Sequence, residues 1–249
     1  MEKFIAFSGG VESTTMCVLF GANAKAIFAD AGWEHKHMYE RIERVEKEVK
    51  KLHPNFEVIK IKSEKGRLQD YIAKQKFYPS PLARYCTRIF KIEPMDKWLS
   101  ERTPCELMIG LNADEVNRAG NHQKAEGVNY IYPLIEAGLS REKCKMILSR
   151  ANLLPELPPY MQRGGCIGCF FKSKKEFAAM AMLNPDEFKE VEDLEKAMQD
   201  KRGKYYAIRD NIGPLSELRK MTESSLFEAD EMYIGPDDVT TPCGIYCHR

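Results

Sequence analysis

No run of apolar residues in this chain approaches the roughly 20 that a helix needs to cross a bilayer. Met1–Phe7 leads straight into a strand-like segment and a Ser-Gly-Gly turn, without the apolar core and small-residue cleavage site of a secretory leader. These absences set the expectation of a cytoplasmic protein with no membrane partner. Neither sign of charge dominates. Lys plus Arg number 38 and Asp plus Glu 37, a formal net charge of +1, so bulk electrostatics neither favours nor excludes a nucleic-acid partner. There is no internal repeat and no low-complexity segment, which excludes solenoid and tract-like architectures. Two phosphate-binding fingerprints are also missing: a Walker pattern with its trailing Lys, and G-x-G-x-x-G.

What is present is an ordinary globular composition, 43% hydrophobic and 30% charged over 249 residues, enough for one large α/β domain or a domain with a small appendage. There are also eight cysteines. In a reducing compartment that number points to metal binding or catalysis rather than disulfides. Lys3–Phe7, Lys25–Ala29, Phe56–Ile61 and Glu106–Leu111 read as strands, and Ser13–Gly21 and residues 88–101 as helices. In residues 36–52, Met38, Ile42, Val45, Val49 and Leu52 recur at helical spacing among charged residues, which predicts an amphipathic helix. Such alternation implies right-handed crossovers and a parallel sheet. Beyond that the pattern changes. Ser140 predicts an N-cap for a helix to about Asn152, and Asn184-Pro185-Asp186-Glu187 a second helix start. The expected division is an α/β nucleotide-binding domain over residues 1–137 and a helical C-terminal region over 138–249.

Between the first strand and the first helix lies Phe7-Ser8-Gly9-Gly10-Val11-Glu12-Ser13-Thr14. Its glycines allow close backbone approach to a phosphate, the helix start offers unpaired amides, and Ser8, Ser13 and Thr14 add hydroxyls. Asp30-Ala31-Gly32-Trp33-Glu34 follows the second strand, and Gly110-Leu111-Asn112-Ala113-Asp114-Glu115 with Arg118 follows the fourth. Ligands of open parallel sheets bind at the carboxyl ends of strands, though each segment alone reads equally as a polar turn. The first segment resembles the S-G-G-x-D-S loop of PP-loop pyrophosphatases, with Glu12 at the Asp position. The second is similar to a D-T-G segment. The third is similar to G-x-R-x-x-E-S-x-x-R, matched at Gly110, Glu115 and Arg118, with Asn112 replacing an arginine. In this order they resemble the phosphoadenosine-phosphosulfate (PAPS) reductase family of PP-loop proteins.

The resemblance extends to the cysteines. Tyr85-Cys86-Thr87-Arg88-Ile89-Phe90-Lys91 is similar to the family's C-C-x-x-R-K segment, and Gly165-Cys166-Ile167-Gly168-Cys169 to its G-C-x-x-C. It implies that Cys86, Cys166 and Cys169 hold a 4Fe–4S cluster, with Cys247 as a fourth ligand, and that Arg88 and Lys91 contact phosphate or sulfate. Zinc on the same residues, or a metal-free C-x-x-C, are the other readings of the spacing. Cys243-Gly244-Ile245 resembles the middle of the E-C-G-L-H end of sulfonucleotide reductases, which implies a catalytic Cys243, although a metal-ligand role reads as well. Cys17, Cys105 and Cys144 fall on apolar or helical stretches and read as core. Arg141, Lys143, Lys145, Arg150, Lys172, Lys174 and Lys175 read as a solvated helix face rather than an anion-binding rim, and Trp33, Phe170 and Phe171 as core rather than base-stacking rings.

The fold this implies is a parallel five-stranded, Rossmann-like PP-loop (adenine-nucleotide α-hydrolase-like) sheet with a C-terminal helical appendage. The function it implies is sulfur chemistry on an adenine nucleotide, with Mg²⁺. One form is ATP-dependent sulfur transfer to a nucleic-acid acceptor, releasing AMP and pyrophosphate and drawing on a sulfur-donor protein. The other is reduction of adenylyl sulfate or its 3′-phosphorylated form to sulfite, drawing on a thiol reductant. A non-catalytic nucleotide- or cluster-binding regulator is the third reading.

Overall fold

The computed structural model describes residues 1–120, 125–202, 207–209 and 211–223. The chain opens with β1 (Glu2–Ala6), α1 (Val11–Phe20), β2 (Lys25–Asp30), α2 (Lys36–Leu52), β3 (Val58–Lys62) and α3 (Leu68–Gln75). A composite helix follows: α4 (Tyr85–Thr87), a π turn (Arg88–Ile92) and α5 (Glu93–Ser100). Then come β4 (Cys105–Met108), a 3₁₀ segment (Ala113–Arg118), β5 (Val128–Ile131), α6 (Pro133–Glu136) and α7 (Arg141–Arg150), and finally α8 (Lys174–Leu183), α9 (Pro185–Arg202) and α10 (Leu215–Glu223).

All strand pairings are parallel, in the order β3-β2-β1-β4-β5. Both faces are covered, so successive strand residues enter different cores. Ile5, Ala26 and Phe28 pack with α1, α2 and α7, whereas Phe4, Ile27 and Ala29 pack with Met95 and Leu99 of α5. Helix α7 lies against α1 and contributes Cys144 and Leu148 to the first of these cores. A third core joins α8, α9 and α10 to α3, the π turn and the cysteine loop through Ile72, Phe90, Phe177, Phe188 and Leu215. Cys17, Cys105 and Cys144 are fully buried in the apolar interior, as read from the sequence.

The elements depart from the sequence reading in two informative places. The helix expected to begin at residue 88 starts at Tyr85 and widens into the π turn. Pro94 lacks the N–H that an α-helical ladder would direct to Phe90, so the turn before it relaxes to wider bonding. β5 had no counterpart among the strands read from local pattern. It is short, and its pairing with β4 from Cys105↔Val128 to Met108↔Ile131 defines it.

The strand order reverses at β1, which has β2 on one side and β4 on the other. Loops leaving β1 and β4 therefore emerge side by side at the carboxyl ends of the strands, the end at which open parallel sheets bind ligands.

Candidate functional site

The Ser8–Thr14 loop joins β1 to α1 at that end of the sheet. Gly9 has φ 76°, a left-handed conformation that favours glycine. Gly10 is the N-cap of α1 and no side chain caps the helix start. The Ser13 hydroxyl accepts from the Ser8 amide at 3.2 Å and lies 3.2 Å from the Ser8 hydroxyl, so the loop is closed around it. Thr14 is buried and its Oγ1 accepts from Arg41, whose Nε also donates to the Gly9 carbonyl at 2.6 Å. Gly110 completes the wall: a Cβ there would lie 3.3 Å from the Ser13 nitrogen and 3.4 Å from the Glu12 Cβ.

Glu12 is buried, and its carboxylate accepts from Arg141 Nη1 at 2.5 Å and from Asn112 Nδ2 at 3.1 Å. Arg141 is thus not part of a solvated face. Residue 141 is the first position of α7, and packing of α7 on α1 delivers its guanidinium to the loop. Asn112, at the position of the family's arginine, also caps the 3₁₀ segment by accepting from the Asp114 amide at 2.8 Å. Glu115 pairs with Arg118 in that segment. Asp30, at the end of β2, is buried and accepts from the Gly32 amide at 2.7 Å and from the Tyr39 hydroxyl at 2.8 Å.

Cys86, Cys166 and Cys169 line one pocket, together with Arg84, Lys91, Trp33 and Phe171. The loop carrying the last two cysteines is docked by its backbone on the segment after Asp30. Ile167 N donates to the Trp33 carbonyl at 2.9 Å, and Glu34 and Cys166 form an antiparallel bridge. Cys166 Sγ lies 3.5 Å from Glu34 Oε1, which also receives Lys91 Nζ at 3.1 Å. A Cβ at Gly9 would come 3.0 Å from Met38 Cε and one at Gly164 3.9 Å from it, so one methionine separates the glycine loop from the cysteine loop. Arg88 is exposed and pairs with Glu93 at 3.4 Å, whereas Lys91 faces the cavity. Trp33 and Phe170 are core residues, as expected; Phe171 is half-buried, with the guanidiniums of Arg84 and Arg163 5.3 and 5.2 Å from its ring centre. Cys243 and Cys247 lie outside the described residues.

The donor chemistry fits a sulfur-ligated group, since three thiols converge on one cavity with a largely apolar and aromatic wall. Among the described residues no three His, Cys, Asp or Glu are grouped to hold a metal ion.

The family model described as the phosphoadenosine phosphosulfate reductase domain matches residues 2–131. The chain belongs to this family. The match covers the whole sheet and stops before the cysteine loop, which comes from the C-terminal region of this PAPS reductase-family chain. An uncharacterised protein of Methanocaldococcus jannaschii is 25% identical over 221 residues, 84% of this chain and 43% of its own length, so the chain spans less than half of that relative. The crystal structure of the PAPS reductase from Candida auris in its phosphate complex is similar over 62% of this chain and 75% of that one, at 13% identity and a TM-score of 0.46. No helix among the described residues is long and apolar enough to cross a membrane.

Beyond the family segments, the structure assembles groups that sequence reading missed. His35 is fully buried, and its Nδ1 is hydrogen-bonded to Glu187 at the start of α9, 152 residues away in sequence. Glu187 also accepts from the Lys36 amide and from Asn184 Nδ2; against the cost of burial, the bonds from His35 and the Lys36 amide hold its carboxyl below the usual carboxylate range. Burial lowers the pKa of His35, and among the described residues both ring nitrogens of neighbouring His37 are buried without a hydrogen-bond partner. A local signal existed for part of this. Glu187 sits in the first turn of a helix with a strong start, but nothing local named His35 as its partner. Lys172, read as solvated, is instead 3% exposed: the turn closed by its amide to the Cys169 carbonyl at 2.9 Å folds it under the cysteine loop.

His37 makes the fold acid-sensitive. Burial lowers its pKa from 6.5 to about 4, helped by the neighbouring His35. The unfolded chain therefore binds a proton that the folded chain refuses between these values, and stability falls as pH drops from about 6.5 to about 4. His37→Asn should flatten this part of the stability profile in denaturant titrations at successive pH values. An unchanged slope would show that His37 is not the titrating group.

Proposed function

We propose that the chain is a PP-loop enzyme that binds an adenine nucleotide across Ser8–Thr14, Asp30 and Gly110–Arg118 and couples it to sulfur carried in the neighbouring cysteine cavity. The observation that carries this reading is the backbone docking of the cysteine loop onto Trp33 and Glu34, three and four residues beyond Asp30. This docking next to the end of β2 supports the reading that the thiols work together with a nucleotide held at the strand ends.

In the reading favoured here, ATP phosphates rest on the amides of the Gly9–Ser13 turn and on the Ser8 and Ser13 hydroxyls, accompanied by Mg²⁺. Arg141 and Asn112 fix Glu12, so the loop is pre-organised before nucleotide arrives. An acceptor oxygen on a nucleic acid attacks the α-phosphorus, and pyrophosphate leaves. A sulfur nucleophile then attacks the activated carbon, and AMP leaves with the oxygen. Cys86, Cys166 and Cys169 would hold a 4Fe–4S cluster, which when bound supplies a site for sulfide or electrons; Cys247 is the proposed fourth ligand and Cys243 a sulfur relay. Sulfur would come from a donor protein. The description of the matching family favours a second reading, in which the strand-end site holds a sulfonucleotide, Cys243 attacks its sulfur, and a thiol reductant releases sulfite.

Anaerobically purified protein tests both. Pyrophosphate formed from ATP in the presence of acceptor nucleic acid supports the first reading. Sulfite from a sulfonucleotide, with an S-sulfonate adduct lost in Cys243→Ser, establishes the second and overturns the first. In either case Ser13→Ala should weaken nucleotide binding by about 1.5–3 kcal/mol, the range for a hydrogen bond to a charged group. Unchanged affinity would remove the strand-end site from consideration.

A further inference from the structure

Arg41 carries a guanidinium into the interior beneath the glycine loop, where the residue is 8% exposed. Its Nε donates to the Gly9 carbonyl at 2.6 Å, and its Nη2 donates to the Thr14 hydroxyl at 3.3 Å and to the Leu153 carbonyl at 3.2 Å. All three acceptors are neutral, and among the described residues no carboxylate pairs with Arg41. The loop's own carboxylate, Glu12, is held by Arg141 and Asn112 instead. A buried charge without a counter-ion is costly, and an anion arriving at the loop offsets that cost.

The bond to Gly9 also sets the direction of the loop backbone. A trans peptide points its carbonyl and the following amide in opposite directions. With the Gly9 carbonyl held inward on Arg41, the Gly10 amide is turned away from the guanidinium, and among the described residues it has no hydrogen-bond partner. The α1 ladder begins at the next carbonyl, that of Gly10, which accepts from the Thr14 amide at 3.0 Å.

We infer that Arg41 is a positioning residue for the phosphates of the nucleotide: it anchors the Gly9 peptide from behind so that the Gly10 amide is presented to them, and it places an unneutralised positive charge under the loop. The inference rests on the reading that the Ser8–Thr14 loop holds phosphate, and it is the same for either chemistry proposed above.

The test measures binding of inorganic pyrophosphate and of adenosine by calorimetry in wild type, Arg41→Lys and Arg41→Gln, with thermal melting to show that each is folded. Pyrophosphate affinity should fall about 10-fold or more in Arg41→Gln, the scale of one charge interaction outside bulk water, while adenosine affinity stays unchanged. Arg41→Lys keeps the charge and loses the fork, so its pyrophosphate affinity should fall as well, though less. Unchanged pyrophosphate affinity in either variant overturns the role. So does an equal loss for adenosine, which marks a general loosening of the fold. If Arg41→Gln does not fold, the same two readouts on Arg41→Lys decide. If wild type binds no pyrophosphate, the reading of the loop fails and the role of Arg41 falls with it; pyrophosphate binding that ignores Arg41 overturns the role alone.

Discussion

Gly168→Val should dislodge the cysteine loop and cost the protein about 3 kcal/mol or more, the upper range for overpacking a filled core. A Cβ at Gly168 would fall 2.2 Å from Trp33 Cη2 and 2.5 Å from the Tyr78 hydroxyl. Neither neighbour has room to move. Trp33 is 2% exposed, and the Tyr78 hydroxyl is engaged in donating to the Gly168 carbonyl. The clash lies within the third core, so the C-terminal helices should loosen with the loop. Equilibrium denaturation followed by tryptophan fluorescence reads the loss. A Gly168→Val protein as stable as wild type would mean that the cysteine loop does not seat against Trp33.

Arg141→Ala should destabilise the protein by about 3 kcal/mol, the low end for breaking a buried pair, since the Arg141 side chain is 25% exposed. The cost comes from Glu12, whose side chain is 6% exposed and, among the described residues, would keep only the Asn112 bond. The added variant Glu12→Gln should recover most of the loss, because a neutral amide needs no counter-charge. Nucleotide affinity should fall in Arg141→Ala as well, since Glu12 lies within the loop that would bind phosphate. A double variant no more stable than Arg141→Ala alone would show that α7 packing, not the ion pair, sets the effect.

Helix α2 was legible from the recurrence of Met38, Ile42, Val45 and Val49, and its observed limits, Lys36–Leu52, are those of that pattern. Ser140 does cap α7, accepting from the Lys143 amide at 3.3 Å, and Pro185 does open α9. These features are local: a period of 3.6 residues, or a side chain reaching three residues along its own chain. The place of the Ser8–Thr14 loop between β1 and α1 was legible for a related reason, since the change from strand to helix pattern marks the junction. By contrast β5 carries too few residues for its alternation to stand out, and only hydrogen bonding to β4 defines it.

Charge was the least legible property. Arg141 and Lys172 both read as solvated helix residues because composition records which residues are charged and not where their heads end. The structure directs one to Glu12 and folds the other beneath Cys169. His35 and Glu187 likewise become partners only when α9 packs near the start of α2. Sequence alone determined the parallel α/β class, the loop at the end of β1 and the identity of the cysteines, because each is written in short-range pattern. Tertiary structure alone decided that these cysteines line one pocket and which buried charges meet, because those contacts join residues 80 or more positions apart, and pairing at that range is set by how helices and loops pack.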